Sequence, residues 1–440
     1  MAFGIRGAFG VCAVAVTLSG CLSDIGDGWP ATGLVTRGRS ADPLAPALGG
    51  PADLANEQSH IIAGLAGRRT LLPPGSSFDE VAKAVLAANA RTAEAELRAA
   101  RLRSVAASKN WLPRIGPDIS LGSLGSLVAN LVVDQVLFDN GRRKGEREFA
   151  VADVEVAAVN LAADTNTRVH TGLTLYLAAA EAREKAALSD AALSDMGQFE
   201  YIMNERVRGG VSDMSDLTIL RQKLAEIRAA RTANAELAAT SVAELNAMSV
   251  RPLGDLRGLP DIEVDATAAR PLAVVLAEAE KTRAIARAKV ELAGLLPGLS
   301  AGGTVGDSTN VGLRVTSDSL IGFGTSDSLQ AIEAAREAAE RRVAQTSEDT
   351  NRTLKKLESR IAAKTRQAEE AARLTAQARA NLDLFQQQYD AGQRQVMDVV
   401  GVYETFSRQQ QAQVTLKYDA LRLRIEMANI LGLLADGDRI

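Results

Sequence analysis

The sequence predicts a mainly α fold with a small transmembrane β part, in which one unit of long helical hairpins and two strands is built twice. Three observations lead there. Gly210-Val-Ser-Asp-Met-Ser-Asp216-Leu217 returns 182 residues later as Gly392-Gln-Arg-Gln-Val-Met-Asp398-Val399, each time between two alanine-rich helical stretches. Such a long period implies a duplicated half-molecule. Upstream, Trp111-Leu112-Pro113 and Leu295-Leu296-Pro297 each open a Gly/Ser-rich run poor in charge. Aromatics are only 4% of the 440 residues, as expected of long helices packed through small side chains.

The N-terminus is expected to be a processed leader. Arg6 precedes an apolar run from Ala8 to Leu18, long enough for a signal sequence and too short to span a bilayer. Leu18-Ser19-Gly20-Cys21 resembles the bacterial lipobox, which makes residues 1–20 the signal peptide and Cys21 the lipidated first mature residue; an ordinary cleaved signal is the plain alternative. The other thiol, Cys12, lies in the removed segment, so no disulfide is expected. Residues 21–77, rich in Gly, Pro and Ala, read as a tether, and Leu22 after the cysteine favours outer membrane sorting.

The first repeat is assigned to residues 78–250. Strong helix formers run from Asp79 to Lys109, with Asp79 and Glu80 in the first turn. The period then falls to two: Ile115, Pro117, Ile119 and Leu121 alternate with Arg114, Gly116, Asp118 and Ser120, and Leu127 to Leu137 continues the alternation. Apolar residues next recur at steps of three and four from Glu146 to Arg208, and a partner helix returns over Asp216–Met248. A helix of about sixty residues would be roughly 90 Å long, beyond what one small core can bury. Residues 251–270, broken by Pro and Gly, are expected to connect the repeats, partly as strand and packed outside the helices.

The second repeat, residues 271–434, has the same order. Leu299 to Val305 and Val311 to Val315 alternate, followed by helices over Leu329–Asp390 and Asp398–Leu434; 435–440 is a tail. Each alternating run is close to the ~10 residues a tilted strand needs to cross hydrocarbon. Four strands cannot close a useful barrel and lipid does not tolerate an open edge, so a membrane barrel would have to be shared between subunits. Trp111, Phe138 and Phe323 fall at one end of the four runs, as an aromatic girdle requires; strand-end aromatics of a soluble sandwich are the alternative.

Catalytic, cofactor and metal sites are not expected. His60 and His170 are the only histidines and stand at no ligand or triad spacing. Gly302-Gly303-Thr304-Val305-Gly306 lacks the lysine of a phosphate loop. A formal charge of −4 without a basic cluster leaves nucleic acid no footprint.

Residues 78–434 resemble the TolC-like outer membrane efflux protein family, on Leu137-Phe-Asp-Asn-Gly-Arg-Arg143 and on Tyr389-Asp-Ala-Gly392-Gln-Arg394-Gln-Val-Met-Asp398. The resemblance implies a homotrimer whose strands form a 12-stranded outer membrane barrel, continued by a periplasmic α-helical tunnel. It further implies a passive exit duct for efflux or type I secretion, opened by a periplasmic adaptor and an RND-type or ABC-type inner-membrane transporter. Carried over by residue, Asp398 falls on the constricting aspartate, Tyr389 and Arg394 on residues that tie the closed helices to a first-repeat turn, and Asp216 on that turn's aspartate. Gly401 stands where the family has a second aspartate. The plain reading of Asp216 and Asp398 is that carboxylates favour helix N-termini. Two other classes compete: a poreless periplasmic scaffold lipoprotein, and an envelope hydrolase, which the lack of a catalytic set disfavours.

Overall fold

The computed structural model describes residues 59–88, 92–121, 127–306, 309–316 and 325–439. Among these, the chain opens with helices α1 (His60–Ala66), α2 (Ser77–Ala87) and α3 (Thr92–Ser108). Strands β1 (Arg114–Leu121) and β2 (Leu127–Phe138) lead into α4 (Arg142–Arg208) and α5 (Met214–Ala247). The second repeat follows as α6 (Leu272–Gly294), β3 (Gly298–Val305), β4 (Asn310–Thr316), α7 (Thr325–Asp390) and α8 (Val396–Leu431). At 1.5 Å per residue, α4 with its 67 residues is roughly 100 Å long, as is α7 with 66.

The four strands form one antiparallel sheet in the order β1-β2-β3-β4, so β1 and β4 are its edges. Register follows the alternation: Ile115 pairs with Val133, Leu131 with Val305, Gly303 with Val311. Because side chains alternate along each strand, Ile115, Ile119, Leu131, Leu299, Val311, Leu313 and Val315 share one face, while Arg114, Asp118, Asn130, Asp134, Ser300 and Arg314 share the other. A register shift between Val136 and Phe138 returns Phe138 to the apolar face, opposite Leu299.

The Leu137–Arg143 motif is a strand-to-helix elbow. Asp139 accepts from the amides of Gly141 at 3.1 Å and Arg143 at 2.9 Å, which satisfies donors that start α4. Asn140 and Gly141 take φ of 53° and 86°, where asparagine and glycine are tolerated best. The Asn140 amide donates to Pro297 O at 2.9 Å, tying the first elbow to the head of the second β hairpin.

Two segments depart from the sequence expectation. The tether does not reach residue 77: Ser59 caps α1, and Ile62, Leu65 and Leu72 are buried. The expected helix over Asp79–Lys109 is two helices, because Val250 N takes the carbonyl of Ala84 and the Arg168 guanidinium takes that of Val85, acceptors that a continuing helix would use.

The connection after α5 is a third departure. Residues 251–270 contain no strand, and Leu253 and Ile262 are buried among Phe78, Val81, Leu173, Tyr176 and Ile425 rather than lying outside the helices. Pro252 and Pro260 remove ladder donors. The connection's carbonyls go to side chains of α4 instead: Tyr176 donates to Gly258 O at 2.7 Å and Arg183 to Gly254 O at 2.9 Å.

Candidate functional site

Both hairpin turns have one architecture, which explains the repeated glycine. After α4, Gly210 takes φ of 72°, its amide donates to Val207 O at 3.0 Å and the Val211 amide to Arg206 O at 2.8 Å. After α7, Gly392 takes φ of 74°, its amide donates to Tyr389 O at 2.9 Å and the Gln393 amide to Gln388 O at 2.8 Å. These are paired Schellman closures, and the left-handed residue in each favours glycine.

The caps of the following helices stand three residues after each glycine and differ. Asp213 caps α5, its carboxylate accepting from Ser215 N at 3.1 Å, and Asp216 sits in the first turn. Gln395 caps α8 in a capping box, in which the Asp398 carboxylate accepts from Gln395 N at 3.2 Å. Asp398 therefore has a local structural job in the single chain, that of satisfying an orphan backbone donor. Asp213 was missed by sequence reading, although an Asp two residues before a serine and an apolar helix start is a cap signal in its own right.

Tyr389 is half-buried against the apolar cluster at this end of the helices, which includes Met196, Phe199, Leu220, Val399 and Phe406. Arg394 donates to Gln388 Oε1 at 3.0 Å and lies over the Phe385 ring at 4.6 Å, a cation-π contact within its own turn. Among the described residues no bond joins Tyr389 or Arg394 to Asp216 within one chain. The cross-links between the two hairpins near this end come about two turns into the helices: Tyr403 donates to Asp195 Oδ2 at 2.8 Å, joining α8 to α4, and Lys223 of α5 pairs with Glu404 of α8. Burial and the Asp195 carboxylate push the Tyr403 hydroxyl pKa up, so it remains a donor. Sequence reading missed this pair because Tyr403 continues the apolar stripe of Val396, Val399 and Val400.

At the other end, the apolar face of the sheet has no partner among the described residues. Val311, Leu313 and Val315 are 79%, 72% and 71% exposed, and Ile115, Ile119 and Leu131 are exposed as well. Exposure of a whole strand's alternate apolar residues is unlike the scattered surface leucines of soluble proteins. Trp111 and Phe138, 60% and 58% exposed, stand where this sheet meets the helices. Gln135 Nε2 fixes Trp111 to β2 by donating to its carbonyl at 2.9 Å. Phe323 and Cys21 lie outside the described residues.

Among the helices, Asp153 of α4 binds Arg103 of α3 at 3.3 Å and Arg283 of α6 at 3.2 Å, so three neighbouring helices are linked through one carboxylate. His170 is half-buried on α4, and burial pushes its pKa down against the opposing pull of Glu426. No group of His, Cys, Asp and Glu among the described residues could hold a metal ion. No helix among them is long and apolar enough to cross a membrane.

No protein-family model and no curated protein matches the chain. Solved structures do match it. A membrane protein from Pseudomonas aeruginosa superposes with a TM-score of 0.71 at 14% identity, over 90% of this chain and 96% of that one. The outer-membrane channel OprN gives 0.70 at 18% identity, over 85% and 96%. The Campylobacter jejuni CmeC outer membrane channel gives 0.68 at 12%, over 82% and 86%. At such identities the likeness is one of fold, and the chain has the fold of these outer membrane channels.

Proposed function

We propose that the chain is an outer membrane exit duct, a homotrimer in which three four-stranded sheets close a 12-stranded barrel continued by a tunnel of α3 to α8. The observation that carries this reading is the open sheet with one largely apolar, exposed face and two edges unpaired among the described residues. Lipid accepts the apolar face and rejects the edges, and a cyclic array of copies answers both demands. The polar face, with Arg114, Asp118, Asp134 and Arg314, then lines water. The likeness to solved outer membrane channels supports the same reading. Lipidation of Cys21 would add a second anchor to outer membrane lipid.

In this reading the glycine turns form the periplasmic end. Tyr389 and Arg394 tie one hairpin to Asp216 of a neighbouring turn, and three Asp398 carboxylates around one axis repel each other and attract cations. Gly401 leaves this acidic ring single rather than double. The duct has no energy source, so an adaptor and an RND-type or ABC-type transporter would drive export and open the turns. A poreless scaffold lipoprotein would share the helices but has no use for an exposed apolar sheet face.

Single cysteines placed along β4 test this directly. In outer membranes or proteoliposomes, cysteines at Val311, Leu313 and Val315 should react with a lipid-soluble maleimide, and those at Asn310, Gly312 and Arg314 with a water-soluble one. Uniform water reactivity of all six would sink the membrane barrel.

A further inference from the structure

Two opposite flanks of α4 can be told apart beneath the sheet. At 100° per residue, Arg142, Glu146 and Asp153 share one flank and Lys144, Glu148 and Val151 the other. Arg142 and Glu146 border a cleft with Arg114, Asp134 and Ser300 of the polar sheet face. Lys144, Glu148 and Val151 border a separate groove with Ile285 and Lys289 of α6, so these lysines stand on the side away from the polar face. On α3, Arg103 reaches Asp153, and Lys109, six residues on and just past the helix end, is turned about 120° from Arg103 by helical phase.

This outer flank carries an excess of positive charge at one level. Lys109 and Lys144 are exposed, and neither has a side-chain partner among the described residues. Arg147 donates to the neutral Asn110 Oδ1 at 2.7 Å, so its charge is uncompensated, and Lys289 alone meets a carboxylate, Glu148 at 2.6 Å. Lys109 follows the last residue of α3, Lys144 is in the first turn of α4, and Lys289 is five residues from the end of α6. At 1.5 Å per residue all three lie within about 8 Å of the helix ends. A headgroup layer is about 5–8 Å deep on each side of the hydrocarbon, which matches that spread. The exposed Trp111 and Leu112 follow Lys109 directly in the chain, and the exposed Phe138 and Leu296 stand at the same sheet end of these helices.

We propose that Lys109, Lys144 and Lys289, with Arg147, form a belt that grips the phosphates of anionic phospholipids in the leaflet facing the helices. The proposal rests on the membrane reading above and adds a lipid preference to it. Apolar side chains at the foot of the sheet set the depth, and the lysine stems extend toward the phosphates.

Trp111 sits beside Lys109 and serves as the reporter. With Trp29→Phe, Trp111 is the sole tryptophan. The full-length protein is reconstituted in phosphatidylcholine containing increasing brominated phosphatidylglycerol or brominated phosphatidylcholine, and quenching is followed. A lysine at an anionic surface is worth about fivefold in binding, so the anionic lipid should reach half-maximal quenching at a mole fraction at least about tenfold lower. The Lys109→Gln, Lys144→Gln, Lys289→Gln variant should lose that preference while its quenching by brominated phosphatidylcholine, which reports insertion, stays unchanged. Equal quenching by the two lipids in the parent, or a preference surviving the triple change, would overturn the belt and leave the membrane reading standing. Absence of quenching by either lipid would overturn the membrane reading and the belt with it.

Discussion

Helices α4 and α7 occupy the same place in the two repeats and have nearly the same length, yet they are buried very differently. Helix α4 packs against α3, α5, α6 and α8, and its buried positions run from Gly145 to Met203. Helix α7 packs chiefly against α6 and α8, and its described buried residues are Leu354, Leu357, Ala371, Ala378 and Leu382. The order of helices repeats that of the strands, with α3 and α7 outermost as β1 and β4 are outermost. What α4 gains inside the chain, α7 can gain only from another surface. Duplication gave two similar helices, and their positions made one central and the other an edge.

The largest effect that sharpens this contrast is a paired truncation. Leu177 is fully buried on α4, and Leu177→Ala should cost about 2–5 kcal/mol in the isolated chain, measured by denaturant unfolding. Leu374 is exposed on α7, and Leu374→Ala should change the isolated chain by less than about 0.5 kcal/mol while raising the protein concentration at which the oligomer dissociates. A large loss from Leu374→Ala in the monomer would erase the distinction between the two helices.

At the turns the two repeats should behave alike. A Cβ on Gly210 or Gly392 would meet nothing within 4 Å, so alanine there costs only the left-handed backbone, about 1–2 kcal/mol in each turn by thermal unfolding. Unequal costs would mean that one turn has contacts the other lacks. Within the first turn, Asp213→Ala removes a cap at about 1 kcal/mol, while Asp216→Ala loses only a dipole interaction of a few tenths.

Most of the helical and strand order was legible in the sequence, because periods of 3.6 and 2 and the glycine at each turn are local signals. The four strands and their faces follow from alternation alone, and the strand-to-helix elbow at Asp139-Asn140-Gly141 was marked only through the resemblance of its motif to the family. What the sequence did not reveal depends on distant partners. Helix α2 ends at Ala87 because Val250 and Arg168 capture its carbonyls, and residues 251–270 fold inward because Tyr176 and Arg183 hold them. The link between Tyr403 and Asp195 spans 208 residues and has no local signature.

The smallest expected effect again separates the two long helices. His170 on α4 is held neutral by burial, its folded pKa below the ordinary 6.5. A depressed pKa contributes stability that is present above 6.5 and is lost as pH falls through the folded value, so unfolding should become easier as pH falls below 6.5. His170→Gln should flatten that slope in a pH series of denaturation midpoints. Helix α7 has no histidine, so its region should show no corresponding dependence in hydrogen exchange.

Single-channel conductance in planar bilayers tests the central claim most directly, with the purified protein compared with an Asp216→Ala, Tyr389→Phe variant whose turns are loosened. An exit duct closed at the glycine turns predicts small currents that grow in the variant. A folded, oligomeric protein that inserts and passes no current in either form would contradict the duct and favour the scaffold.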